Sequence, residues 1–314
     1  MAIIGDDLIA GIKRRISMPA NQVLLSDTDI FALVDAVIRS NIIPIFESSN
    51  QDFFVTTKNV ALVASTSEYD IPVRAVARTL RDLKIKDSAT DENYVRNVTK
   101  VSIEDIEYTD RNTAVSAFYF KGDRIRVLPS VSSAVQTEVL EFWYKIAVSK
   151  LITTSAACTV VSVAGTTVTV DAVPSTITAL TPIDFIQGLS GNRLYDTDKT
   201  PTAVSATSLT FAADTIPSAL QAGDYIALAG YSPVITMIPD EAEPLIESLT
   251  AKRCLKAIGD FEGARELNED ISEEKKELLK LIEPRIDGEA IIIVNRDGLV
   301  RGNRSGQRRW FYGA

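Results

Sequence analysis

The chain has 314 residues, more than one compact core usually holds, and its 33 basic and 42 acidic side chains leave a formal charge of −9; two domains or one elaborated domain are expected, and the charge argues against a surface that grips nucleic acid throughout. Histidine is absent, which excludes Ser/His and Cys/His catalysis and any His-ligated metal site while leaving carboxylate, Lys and Tyr chemistry formally open. Cys158 and Cys254 form neither a C-x-x-C pair nor a disulfide framework, so folding in a reduced, cytosolic compartment is expected.

The opening Met-Ala-Ile-Ile-Gly-Asp-Asp has no secretory pattern, and no apolar run reaches the roughly 18 residues of a membrane span. A soluble chain is expected. Ile4, Leu8, Ile9, Ile12 and Ile16 then recur at helical spacing, with Asp6 and Asp7 early and Lys13, Arg14 and Arg15 late, as the helix dipole favours. Pro19 closes that helix. A second begins at Ser26, whose hydroxyl can cap the amide of Asp29, and Ile30, Leu33, Val34, Val37 and Ile38 give it one apolar face. After Pro44 the pattern predicts strands at Phe53–Val55, Val60–Val63, around Tyr69-Asp70-Ile71-Pro72, and from Val76 to Ile85. Ser102 to Asp105 reads as a capped short helix, Tyr119 to Val127 as a hairpin turning at Lys121-Gly122-Asp123, and Val139 to Ile146 as an aromatic strand.

Residues 153–230 change character, with eight charged side chains in 78 residues amid Thr, Ser, Ala and Val. That is a β composition. Strands are expected at Thr159–Val163, Thr166–Val170, Leu209–Phe211 and Tyr225–Leu228. The zone reads as a small barrel or sandwich, closed because open edges on uncharged strands invite aggregation. Residues 231–290 return to helix. Pro239 to Ile258 ends at Gly259, and Phe261 to Ile282 is stopped by Pro284, giving an antiparallel helical hairpin. The charged faces of the second helix, Phe261 to Ile282, are expected to stay wet or meet a neighbouring subunit.

The order of these segments resembles the head-to-tail adaptor (connector) proteins of tailed bacteriophages. The likeness is carried by Tyr69-Asp70-Ile71-Pro72 before a strand, the hairpin Phe118 to Leu128 ending in Pro129, the strand Glu141-Phe142-Trp143-Tyr144, and Ile238-Pro239-Asp240-Glu241 opening a long helix. It covers roughly residues 68–146 and 235–283. The resemblance implies a non-enzymatic virion protein of the head-tail junction, made in the host cytoplasm and needing no cofactor. Twelve copies would form a ring under the portal protein, extend the channel for packaged DNA that passes without specific binding, and receive a tail or nozzle protein. Residues 153–230 depart from the family pattern by separating the aromatic strand from the Pro-Asp-Glu helix.

The fold expected is therefore α+β: an adaptor body of 1–152 and 231–290, comprising a helical bundle with a mixed β region, an inserted all-β domain of 153–230, and a basic, aromatic tail of 291–314. In the tail, Arg296, Arg301, Arg304, Arg308 and Arg309 outweigh Asp297 to give +4, leaving −13 on the remainder. Gly298, Gly302, Gly306 and Gly313 oppose helix, and Trp310, Phe311 and Tyr312 are costly to leave in water. These arginines and aromatics are the residues expected to dock on the portal, with phosphate and base contacts the competing use. The acidic body reads either as ordinary solubility or as a DNA-repelling channel wall.

Other clusters are weighed against plainer readings. Asp196-Thr197-Asp198 near Asn192 suggests calcium but lacks the full ligand loop with a late Glu, and reads as a polar turn. Glu104/Asp105, Glu269/Asp270 and Glu273/Glu274 read as solvated charge rather than acid/base couples, and Gly188 to Gly191 as a loop rather than a phosphate cradle. Both cysteines are expected to be buried, and Trp143 to lie in the core. The rival function is an oligomeric carbohydrate- or host-surface-binding module, in which Tyr195 beside Asp196 and Asp198 on the 153–230 domain would contact the glycan.

Overall fold

A computed structural model describes residues 3–17, 25–49, 52–88, 94–105, 115–129, 138–188 and 193–282. They form an α+β fold. Helix α1 spans Gly5–Arg15 and buries Leu8, Ile9 and Ile12, the apolar stripe of its sequence. Helix α2 spans Asp27–Val37. Its capping box is complete: Ser26 Oγ accepts from the Asp29 amide at 3.2 Å, and the Asp29 carboxylate accepts from the Ser26 amide at 3.0 Å.

Helical structure runs further than the sequence pattern suggests, because Ile38–Ile42 winds as a π turn and α3 continues over Ile43–Ser49. Pro44 lies inside this run rather than ending it. A proline ring in an α register would press on the carbonyl four residues back, and a wider turn is one way to give it room.

The strands of the body are β1 (Val55–Ala61), β2 (Glu68–Asp70), β3 (Asp82–Lys86), β4 (Tyr94–Asn97), β5 (Thr99–Lys100), β6 (Ala117–Lys121), β7 (Arg124–Leu128) and β8 (Val139–Lys145). They make two four-stranded sheets, β1-β8-β3-β4 and β2-β7-β6-β5. The hairpin β6–β7 turns at Gly122, whose φ of +66° suits a residue without Cβ. Leu83, Leu140 and Phe142 from the first sheet share one core with Tyr69, Phe118 and Ile125 from the second. Two expectations are corrected. Residues 53–63 give one strand, not two. Val76–Arg78 is a 3-10 turn, with Ala77 and Arg78 at φ of 52° and 54°, so the strand expected from Val76 begins only at Asp82.

The remaining strands are β9 (Lys150–Leu151), β10 (Cys158–Ala164), β11 (Thr167–Val170), β12 (Ile183–Ile186), β13 (Leu194–Lys199), β14 (Ala203–Val204), β15 (Ser208–Thr210), β16 (Tyr225–Leu228) and β17 (Tyr231–Ser232). Seven of them form one antiparallel sheet in the order β13-β12-β16-β10-β11-β15-β14. Strand β10 changes partner along its length: Cys158 and Thr159 face β16, and the rest faces β11, with the register shifting between Val160 and Ser162. Val160, Val168, Phe185, Leu209, Phe211 and Ile226 fill a core of their own. Strands β9 and β17 pair in parallel where the chain enters and leaves this region.

After a 3-10 turn at Asp240–Ala242, helix α4 runs over Glu243–Ile258 and stops at Gly259, whose φ of +89° lets its amide return to the Leu255 and Lys256 carbonyls. Helix α5 spans Gly263–Ile282. The helical core joins Leu8 and Ile12 of α1, Ile30 and Val34 of α2, Phe46 of α3, and Leu245, Ile246 and Cys254 of α4. Met237 packs against both this core and that of the two body sheets.

Candidate assembly interface

Arg74 follows β2 on a loop held against the segment after β8: its own carbonyl accepts from the Ala147 amide at 2.8 Å, and Ala75 bridges Ile146. The side chain crosses to β12. One guanidinium nitrogen pairs with the Asp184 carboxylate, and the other donates to Ser149 Oγ at 2.7 Å and the Ala147 carbonyl at 3.2 Å. Asp184 is fully buried, and Arg74 is 8% exposed. The carboxylate also accepts from the amides of Asp198 at 3.0 Å and Gly230 at 2.9 Å. Burial pushes the Asp184 carboxyl above its usual range, with Arg74 and the two amides opposing that rise. A charge pair so enclosed is tolerable because further hydrogen bonds support both members, Ser149 and the Ala147 carbonyl on the guanidinium and two amides on the carboxylate.

The same loop carries apolar side chains outward. Val73 is 72% exposed and Val76 is 44% exposed. Two consecutive non-glycine residues with positive φ follow, a conformation that persists only where surrounding contacts over-determine it. Arg74 supplies such a contact, and Arg78 adds another by donating to the Ile71 carbonyl at 3.3 Å. The result is a firmly held loop that displays valine to solvent.

At the helical end, Arg15 of α1 donates to Glu247 at 2.8 Å and Ser248 at 2.5 Å on α4, and to Glu274 at 3.2 Å on α5. Ser248 also donates to Glu274 at 3.0 Å. Burial raises the Glu274 carboxyl despite these partners. Glu274 is thus a joint of three helices and not part of a solvated acid pair, whereas Glu273, Glu269 and Asp270 are exposed as expected.

The residues singled out in the sequence fare differently. Arg296, Arg301, Arg304, Arg308, Arg309, Trp310, Phe311 and Tyr312 lie outside the described residues, as do Asn192 and most of the Gly188 to Gly191 cluster. Asp196 pairs with Lys199 at 3.0 Å and Asp198 with Lys58 at 3.5 Å. Among the described residues no group of three acidic or cysteine side chains is gathered as a metal site, and no helix is long and apolar enough to cross a membrane. Cys158 and Cys254 are buried, which pushes their thiols up to about 12 and about 11.

Trp143 departs from expectation. It alternates outward from buried Phe142 and Tyr144, donates to Glu141 at 2.7 Å, and has the Lys84 ammonium 4.8 Å from its ring centre. The sequence pattern does not single out Arg74, Asp184 or Val73. The available signal was Asp184 itself, one acid within the apolar strand Ile183-Asp184-Phe185-Ile186.

No family model matches this chain, and comparison with curated proteins finds no relative.

Proposed function

We propose that the chain is a ring-forming head-to-tail adaptor of a tailed bacteriophage, a structural virion protein that docks on the portal, extends the DNA channel and receives the tail. One observation carries the reading: the separate segments that bear the resemblance form a connected body. Tyr69 pairs with Ile125 of the hairpin, the aromatic strand β8 lies between β1 and β3, and both sheets share one core. Helices α1, α2, α4 and α5 act as the bundle of this body, and residues 153–230 as an all-β domain, barrel or sandwich, set into it. Copies would meet side to side through heterologous contacts that close into a ring, for which the pinned valine loop is suited. The arginine- and aromatic-bearing residues from 296 to 312 would bind the portal, and repetition around the ring turns weak single contacts into strong attachment.

The test is electron microscopy of the purified chain, with and without portal, alongside a pull-down of a variant lacking residues 291–314. Rings that attach to portal, and a folded truncated chain that does not, are expected. A chain that stays monomeric and ignores portal overturns the reading.

A second reading, an oligomeric glycan- or host-surface-binding module, draws on a groove of about 330 Å³ between β1 and β13, where Arg193, Tyr195 and Asp196 face Thr56 and Thr57. Glycan-array binding abolished by Tyr195→Ala but retained without residues 291–314 would favour it.

A further inference from the structure

A second groove, of about 480 Å³, lies on the helical face of the molecule. Leu245 and Leu249 of α4 contribute to its floor, Pro44 and Ile45 of α3 to one side, and Ile271 and Leu279 of α5 to the other. Ile45, Leu249, Ile271 and Leu279 are each only half-buried. Ser40, Asn41 and Ser48 line it as well, so the groove is a mainly aliphatic trough with polar groups beside it, a place for another apolar segment to lie.

We infer that this groove seats the Ile291-Ile292-Ile293-Val294 run of the same chain. Position and reach argue for it. Ile271, Lys275 and Leu279 are spaced four apart along α5, so the groove follows that helix toward its last residue, Ile282. The groove-lining stretch from 271 to 279 measures about 12 Å at helical rise. The nine steps from Ile282 to Ile291 span up to about 30 Å when extended, which is ample to turn back at Pro284 and Gly288 and enter the groove. Charge agrees with reach. Asp287 and Glu289 precede the aliphatic run, and Lys275 stands on the groove wall, so the acids would meet an ammonium as the isoleucines meet the trough. An extended segment turns alternate residues the same way, which assigns Ile291 and Ile293 to the groove.

Seated there, the run would fix the point from which the arginine-bearing residues beyond 295 depart. The inference concerns the isolated chain and does not depend on portal binding.

Two measurements on the full-length protein test it. In the Ile291→Asp/Ile293→Asp double variant, amide hydrogen exchange across residues 271–282 should speed up at least about tenfold, while α1 is unchanged; equal rates in α5 overturn the inference. In a Ser48→Cys/Ile293→Cys variant, mild oxidation should give an intramolecular disulfide that migrates as monomer. Disulfide-linked dimers would assign the groove to a second copy, and the absence of any cross-link would leave the groove without this occupant; either result overturns it.

Discussion

Arg74 and Asp184 form a buried ion pair that joins the loop after β2 to strand β12, two points 110 residues apart in the chain. Their setting is architectural: the pair ties the body sheets to the β region of residues 158–228.

Removing one partner should be far more damaging than removing both. Arg74→Met leaves the Asp184 charge enclosed without its cation, and a loss of about 3–5 kcal/mol is expected from urea unfolding. Arg74→Met with Asp184→Asn should recover part of that loss. A double-mutant cycle with no coupling would show the pair to be energetically idle.

Asp35 gives a pH dependence of defined sign. Its carboxylate accepts from the Leu151 amide at 3.1 Å, yet burial raises its pKa, with that amide and the nearby Arg39 and Lys150 opposing. The folded value lies above the unfolded one, so the neutral acid is the form folding prefers. Its stability contribution is fully present below the unfolded value of about 3.9 and is lost as pH rises through the folded value. Asp35→Asn keeps an acceptor for Leu151 and carries no charge. At pH 7 the variant should therefore unfold at a urea midpoint equal to or above that of the parent, and any advantage should shrink as the pH approaches about 4.

Phe185 is fully buried beside Phe211, with ring centroids 5.2 Å apart, in the core specific to the seven-stranded sheet. Phe185→Ala should cost about 3–5 kcal/mol in that region. Hydrogen exchange should rise within residues 158–228 and stay unchanged in α1 and α2. A uniform rise throughout the chain would indicate that the sheet and the helical body unfold as one unit.

Cys158 and Cys254 should react with a thiol reagent only after unfolding, because both are buried and their thiols are shifted far above neutral. Following absorbance after adding an aromatic disulfide in native buffer, and again in denaturant, checks this. Prompt labelling of the native protein would contradict the packing around α4 or β10.

The elements readable in the sequence were those whose cause is local. Ser26 and Asp29 cap α2 within four residues, Gly122 turns a hairpin between adjacent strands, Gly259 ends α4, and Tyr225–Leu228 is a short β run bounded by turn residues. What escaped depended on distant partners. Val76 and Ala77 leave the extended pattern on a loop anchored across the molecule by Arg74, and Glu274 is drawn inward by Arg15 of a helix more than 250 positions away. Trp143 faces outward because the alternation of β8 had already committed Phe142 and Tyr144 to the interior. The arginine-rich candidate site was legible as composition, since clustering of charge and aromatics needs no tertiary information.

The parallel pairing of β9 with β17 has an evolutionary consequence. Lys150 lies opposite Tyr231, the Lys150 amide donates to the Gly230 carbonyl at 2.9 Å, and the Ile152 amide donates to the Ser232 carbonyl at 3.0 Å. Whatever polypeptide is threaded between positions 152 and 230 therefore departs and rejoins through a single stitched doorway. A lineage could lengthen or replace that stretch without moving its two ends, provided the new polypeptide still set a carboxylate against Arg74 where Asp184 now lies.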